Sequence, residues 1–346
     1  MSAQPAFLFL TCQVGAEAAV KSELARRWPD FRFAYSRPGF LTFKLPPEHK
    51  LEPDFELGSV FARSYGFSLG KASGETPDDR AKNIGPLIAG RTFDQLHVWQ
   101  RDTAAPGDRD FEPGITPAAT EAEQAIRNHV PALAALRPPT KAGHMVADCI
   151  IVEPNEWWIG YHKAHGRSSC LPGGLSKIDL PADVVSRAYL KMEEAIRWSR
   201  LPIEKGQECV EIGCAPGGSC QALLNRGLRV IGIDPAAMHA SVLANRNFVH
   251  IRKRGNEVKK KEFRKTRWLV ADMNVAPQYT LDTVEEIVTY PQVNIRGLLL
   301  TLKLLEWDLA EEVPQYLERI RGWGYAHVRA RQLQYNRQEI CVAAQK

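Results

Sequence analysis

The chain has 346 residues, 44% of them hydrophobic and 25% charged, with a formal net charge of +5. That length implies two or three domains, and the composition is that of a core-forming chain, which excludes a disordered or fibrous protein. No apolar run approaches the roughly 20 residues needed to span a bilayer, and the apolar stretch at residues 7–10 lacks the basic flank of a secretory signal. Seven cysteines, an odd number without paired spacing, fit reduced thiols and a cytoplasmic setting. Cys209, Cys214 and Cys220 lie close together but lack a histidine partner, so no metal is expected.

In chain order, residues 7–10 read as a first strand and 16–28 as a helix with Ala19, Val20 and Leu24 on one face. Residues 33–43 read as strands around a turn at Pro38 and Gly39. The stretch 102–117, rich in Asp, Gly and Pro, is a loop. A helix over 118–128 follows Thr116 and Pro117, and a break falls at 137–141. Strands at 144–152 and 156–161 flank a turn at Pro154 and Asn155, with Trp157, Trp158 and Tyr161 read as core residues in preference to base-stacking ones. The N-terminal part is therefore α+β, in two small modules. After Gly173 and Gly174, helix and strand alternate. The pattern is helix 186–199, strand 209–212, a glycine turn with a helix to 224, and strands 229–233, 268–271 and 297–302. Helix 311–321 and strands 325–330 and 339–344 complete it. Such alternation predicts an α/β domain with a mostly parallel sheet, Rossmann-like in type.

Charge is unevenly spread. Residues 1–170 hold 19 basic and 20 acidic side chains, whereas residues 171–346 hold 26 and 20. Within the second half, the stretch from Arg246 to Arg267 carries ten basic residues against Glu257 and Glu262. A block of this kind favours a polyanion. Lys253, Arg254, Lys259, Lys260, Lys261, Arg264, Lys265 and Arg267 are the candidate contacts to the phosphates of such a partner.

Glu211, Gly213, Ala215, Pro216, Gly217, Gly218 and Ser219 form a turn between a strand and a helix. The spacing is not that of a dinucleotide fingerprint, because Ala215 stands where the second glycine belongs, and no Gly-Lys-Ser makes a phosphate loop. An acid at the strand end followed by G-x-x-P-G-G suits S-adenosyl-L-methionine. Asp234, ending the next strand, can accept hydrogen bonds from both ribose hydroxyls.

Three stretches carry a family resemblance: Cys214 to Gly218; Ala271, Asp272 and Met273 with Pro277 beyond; and Ser186 to Lys191. Together with Leu302, Lys303 and Leu304, and with Arg331 to Glu339, they resemble the FtsJ-like ribose 2′-O-methyltransferases. The resemblance covers the C-terminal half well and the N-terminal half loosely. It implies a seven-stranded methyltransferase domain at 176–346, preceded by a ferredoxin-like module at 1–68 and a THUMP-like RNA-binding domain at 69–168. It also implies S-adenosyl-L-methionine as methyl donor and, as substrate, a cytidine of large-subunit (23S) ribosomal RNA. Lys191, Asp272, Lys303 and Glu339 match the family's catalytic Lys-Asp-Lys-Glu tetrad, and Asp272 also borders the cofactor. The family's tryptophan after Pro-Gly-Gly is Ser219 here. Its acidic residue near the adenine is absent from the stretch Arg252 to Asn256, so backbone groups, Asn256 or Glu257 take that role.

On this reading Lys303 is the general base. Lys191 and burial disfavour its charged form, Asp272 orients it, and Glu339 balances Lys191. The alternatives are a 2′-O-methyltransferase acting on another RNA and a non-catalytic RNA-binding scaffold of the same fold.

Overall fold

The computed structural model describes residues 5–48 and 50–346, and they separate into two compact units, residues 1–177 and 178–346. No helix among the described residues is long and apolar enough to cross a membrane.

The first unit is built on one seven-stranded sheet. Its strands are β1 (Phe7–Cys12), β2 (Arg32–Arg37), β3 (Phe40–Lys44), β4 (Ala62–Ser73), β5 (Gln95–Gln100), β6 (Met145–Glu153) and β7 (Glu156–Lys163), in the order β2-β3-β1-β4-β7-β6-β5. Every neighbouring pair is antiparallel except β5 with β6. The long β4 crosses residue 68 and pairs with both β1 and β7, so a single sheet runs through both modules expected there. The sequence reading omits β4 and β5. Gly66 and Gly70, with interspersed serines and a lysine, dilute the apolar alternation that marks a strand. One face packs Leu96, Val98, Cys149 and Ile159 against the helix Pro117–His129, which Thr116 caps by accepting a hydrogen bond from the Ala119 N–H (3.2 Å). The other face carries Phe9, Phe40, Trp99, Ile150 and Trp158. Trp157 and Tyr161 are buried as well, so all three candidate stacking aromatics belong to the core.

The second unit holds β8 (Glu208–Ile212), β9 (Arg229–Ile233), β10 (Phe248–Ile251), β11 (Trp268–Ala271), β12 (Gly297–Lys303), β13 (His327–Arg331) and β14 (Glu339–Gln345). Their order is β10-β9-β8-β11-β12-β14-β13, parallel except that β14 runs antiparallel to both its neighbours. The central strands are unbroken apolar runs because both faces are covered by helices. The helices Ala188–Ser199 and Gly218–Asn225 pack against each other, and Pro277–Val288 buries Leu281, Val284, Ile287 and Val288. That last helix and the short edge strand β10 are missing from the sequence reading. The order reverses direction between β8 and β11, and ligands of open α/β sheets bind at the carboxyl ends of strands at such a switch point.

Candidate active site

The carboxyl end of β8 leads directly into the glycine turn. Gly213 has φ +81°, and a Cβ there would lie 2.7 Å from the Asp272 carbonyl oxygen. Gly218 opens the following helix, where a Cβ would lie 2.2 Å from Ser186 Oγ and 2.9 Å from the Ser186 carbonyl oxygen. Only a bare backbone lets this turn nest between β11 and the segment entering the helix Ala188–Ser199. At the end of β9, Asp234 accepts hydrogen bonds from the backbone N–H groups of Ala215 (3.1 Å) and Ala236 (2.7 Å). Its carboxylate therefore ties the turn to β9, and each oxygen keeps a second lone pair.

Glu211 is wholly buried on β8, where its Oε2 accepts from the Cys220 thiol (2.9 Å). Burial pushes its carboxyl up to about 7 from 4.5. Across that interval the folded protein holds a proton that the unfolded chain has released. Stability therefore falls as pH rises toward 7 and levels off above it. Glu211→Gln is expected to flatten this dependence and to raise the melting temperature above wild type at about pH 8. Thermal denaturation of both proteins from about pH 5 to about pH 8 checks it, and parallel curves would place the titration elsewhere.

Four side chains converge beside the turn. Lys191 comes from the helix Ala188–Ser199, Asp272 follows β11, Lys303 ends β12 and Glu339 begins β14. The antiparallel register sets Lys303 directly opposite Glu339. Lys191 Nζ lies 2.7 Å from Asp272 Oδ2 and 2.9 Å from Glu339 Oε1. Lys303 Nζ lies 3.1 Å from Asp272 Oδ1 and also contacts Glu339 Oε2. Two ammonium groups and two carboxylates thus alternate around a closed ring. Burial opposes the charge on Lys191, but Asp272 and Glu339 outweigh it and hold its pKa above the ordinary lysine value. Burial likewise opposes the charge on Glu339, and the two lysines overcome it, lowering its carboxyl to about 2. The pairing expected between Glu339 and Lys191 is present, and Glu339 bridges both lysines rather than one.

Two supporting residues escaped the sequence reading. Asn336 donates to Glu339 Oε1 (3.1 Å). Glu194, one turn beyond Lys191, accepts the backbone N–H groups of Gln334 (2.8 Å) and Tyr335 (3.0 Å). The helix that carries Lys191 thereby grips the loop that delivers Glu339. The only signal in the sequence is the i, i+3 spacing of Lys191 and Glu194, which does not reveal a partner 140 residues away.

Ser219, in place of a tryptophan, is buried and opens on a small cavity lined by Lys191, Met192, Asp272, Leu299, Leu333 and Cys341. Asn256 is exposed, in a short 3-10 turn that begins at Gly255, and Glu257 caps that turn by accepting the Arg254 N–H (2.9 Å).

The basic run does not stay together. Lys253 and Arg254 leave β10 at the carboxyl ends, and the neighbouring Arg252 donates to the Pro235 carbonyl just after Asp234 (3.1 Å). The chain then descends along the helix Pro277–Val288, where Lys260 pairs with Glu286 (2.9 Å) and Arg264 donates to Gln292. At Arg267 the backbone N–H bonds to the Glu208 carbonyl at the start of β8 (3.0 Å), so Arg264, Lys265 and Arg267 lie toward the amino ends, away from the tetrad. Lys259 and Lys261 fall between, both exposed.

A parallel sheet with a reversed last strand and a glycine turn at its switch point is the arrangement of a Rossmann-like methyltransferase fold, and a Lys-Asp-Lys-Glu ring lies beside that turn. Residues 184–314 match the model of the FtsJ-like methyltransferase family. The chain's relatives include the ribosomal RNA large subunit methyltransferase M of Aggregatibacter aphrophilus, 31% identical over 54% of this chain and 54% of that protein. That of Haemophilus influenzae strain PittEE is 25% identical over 97% of this chain and 98% of that one. The alignment thus spans about half of the first relative and nearly all of the second. Among solved structures, the Methanococcus jannaschii fibrillarin pre-rRNA processing protein is 13% identical with a TM-score of 0.38, covering 57% of this chain and 82% of that one.

Proposed function

We propose that the protein transfers a methyl group from S-adenosyl-L-methionine to the ribose 2′-hydroxyl of a cytidine in 23S ribosomal RNA. The observation that carries this reading is the closed Lys191-Asp272-Lys303-Glu339 ring beside a glycine cradle that a Cβ would fill. The names of the relatives supply the RNA class. An inert RNA-binding scaffold has no use for two lysines held between two largely buried carboxylates, which is the reason to set that alternative aside.

The cofactor fits the residues present. The backbone of Gly213 to Ser219 would hold its amino-acid end, the free lone pairs of Asp234 its ribose, and the 3-10 turn at Asn256 its adenine side. Bound there, S-adenosyl-L-methionine supplies an electrophilic methyl on a positively charged sulfur. Lys191, kept charged by two carboxylates, is a fixed cation at neutral pH. The family resemblance gives the base role to Lys303, which in its neutral amine form, its own proton lost to solvent beforehand, takes the 2′-hydroxyl proton as the oxygen bonds to the methyl carbon and the sulfur–carbon bond breaks. Asp272 touches both lysines and orients the pair, and alignment of oxygen and methyl contributes most of the acceleration. The test is transfer of tritiated methyl to 23S rRNA followed by alkaline hydrolysis. Label in one alkali-resistant dinucleotide is expected, whereas label released as a base-modified mononucleotide would overturn the ribose assignment.

The N-terminal unit, as ferredoxin-like and THUMP-like modules, would engage the RNA away from the reacting nucleotide, in a soluble cytoplasmic enzyme. In the C-terminal unit the split basic run gives a directional expectation. Lys253→Ala with Arg254→Ala should weaken RNA binding and lower the salt dependence of log K by about 1–2 units, since each lost phosphate contact removes about 0.7–0.9. Lys265→Ala with Arg267→Ala, near the opposite end of the strands, should leave both nearly unchanged. Salt titrations of binding to an rRNA fragment decide it, and equal losses from the two pairs would mean that RNA wraps the whole run.

A further inference from the structure

On the face of the first unit's sheet that carries Trp99, Ile150 and Trp158, one polar cluster interrupts the apolar layer. His97 on β5 lies opposite Asp148 on β6 in the ladder, and His162 on β7 lies opposite Val146, two residues before Asp148. Period-2 alternation puts all three on that face. They are 2%, 1% and 9% exposed. His162 Nδ1 is 2.6 Å from Asp148 Oδ2, and His97 Nδ1 is 4.0 Å from Asp148 Oδ1. The candidate donor atoms of the three residues all lie within 4.8 Å of one another.

The outer nitrogens are committed elsewhere. His162 Nε2 meets the Ser169 carbonyl oxygen (2.8 Å), which only accepts, so that nitrogen carries a proton. His97 Nε2 meets Thr140 Oγ1 (2.8 Å). With Nε2 protonated on His162, and on His97 when the Thr140 hydroxyl accepts from it, two neutral imidazoles and a carboxylate turn only lone pairs toward one another. A single proton satisfies the His162–Asp148 contact. It leaves His97 Nδ1 and Asp148 Oδ1 buried without a hydrogen-bond partner, each a costly loss.

One divalent cation satisfies every inward lone pair at once. We propose that His97, Asp148 and His162 hold a structural transition-metal ion, Zn²⁺ by the chemistry of two imidazoles and one carboxylate. Tetrahedral ligand distances of about 2.0–2.2 Å set neighbouring donor atoms about 3.3–3.6 Å apart, so the 2.6 Å contact has to open and the 4.0 Å gap to narrow, by about 0.4–1 Å. The outer contacts to Thr140 and Ser169 are the kind that fix the ring orientation of metal-bound histidines. The ion would join three adjacent strands to the two loops that hold those outer nitrogens.

The test uses the full chain, free of any affinity tag. Metal analysis of protein purified without chelator is expected to find about one zinc per chain, as one three-ligand site requires. After chelation, added Zn²⁺ should raise the melting temperature of the first unit. Added Co²⁺ should give visible d–d bands without the near-ultraviolet band of thiolate ligation. Thr140→Ala, which removes no ligand, should lower zinc affinity by about 10–100-fold, and Asp148→Asn should abolish the Co²⁺ spectrum. If the wild-type chain carries no metal and neither ion changes its melting or spectrum, the proposal fails and the cluster is a proton-sharing network. A thiolate band would also overturn it, by placing the metal on cysteine.

Discussion

Replacing Lys303 with alanine is expected to lower the rate of methyl transfer by about 10²–10⁴-fold, the usual worth of a positioned general base, while S-adenosyl-L-methionine binds as before. The separation follows from the ring. Lys303 pairs with Asp272 and Glu339, whereas the glycine turn follows β8 and is tied to Asp234 at the end of β9. Removing Lys303 leaves Lys191 bridging both carboxylates, 2.7 and 2.9 Å away, so the two anions stay held by one cation while the site loses its proton acceptor. Single-turnover methyl transfer, with cofactor affinity by calorimetry, is the measurement. Lys191→Ala serves as the control, because it removes the fixed cation instead. If Lys303→Ala transfers methyl at a near-normal rate while Lys191→Ala is inactive, the two lysines have exchanged roles.

Replacing Gly213 with alanine should have the opposite profile, with cofactor binding lost first. The position combines φ +81° with a Cβ that would meet the Asp272 carbonyl oxygen at 2.7 Å and Met273 Cα at 3.0 Å. A left-handed conformation costs a non-glycine residue about 1–3 kcal/mol. The clash adds to this, since the atoms met are backbone and cannot swing aside. Relief requires β8 and β11 to part at their carboxyl ends, where the Asp272 N–H bonds to the Ile212 carbonyl (3.0 Å). That shift moves the cofactor turn and a tetrad member together. Cofactor affinity should fall by at least about tenfold, the equivalent of about 1.4 kcal/mol, and the melting temperature of the second unit should drop. Calorimetric titration and thermal denaturation read the two effects. Unchanged cofactor affinity in a folded Gly213→Ala protein would mean that the turn is not the binding cradle.

Much of the second unit is legible from local pattern. The apolar runs at 268–271 and 297–302, the glycine turn and the helix start before Lys191 are short-range signals, and short-range chemistry creates them. The weaker elements are those whose reasons are distant. β10 is a four-residue edge strand, and β4 is held in place by β1 and β7 despite its glycines. The basic run looks like one patch in one dimension. The crossover from β10 to β11 has to travel from the carboxyl to the amino ends of a parallel sheet, and that geometry divides the run in two.

The sequence by itself determined the alternation that makes a methyltransferase-like sheet, and the four residue types suited to methylating a hydroxyl. Only the tertiary structure decided how they meet. Lys191 and Glu339 are 148 positions apart, yet lie 2.9 Å from each other because the reversed β14 sets Glu339 beside Lys303. The structure also decided that Glu194 and Asn336 brace the ring, and that His97, Asp148 and His162 share one buried face. Spacing along the chain reports which face of an element a residue occupies. Which faces touch is settled by strand order and register, and these arise from packing of the whole sheet.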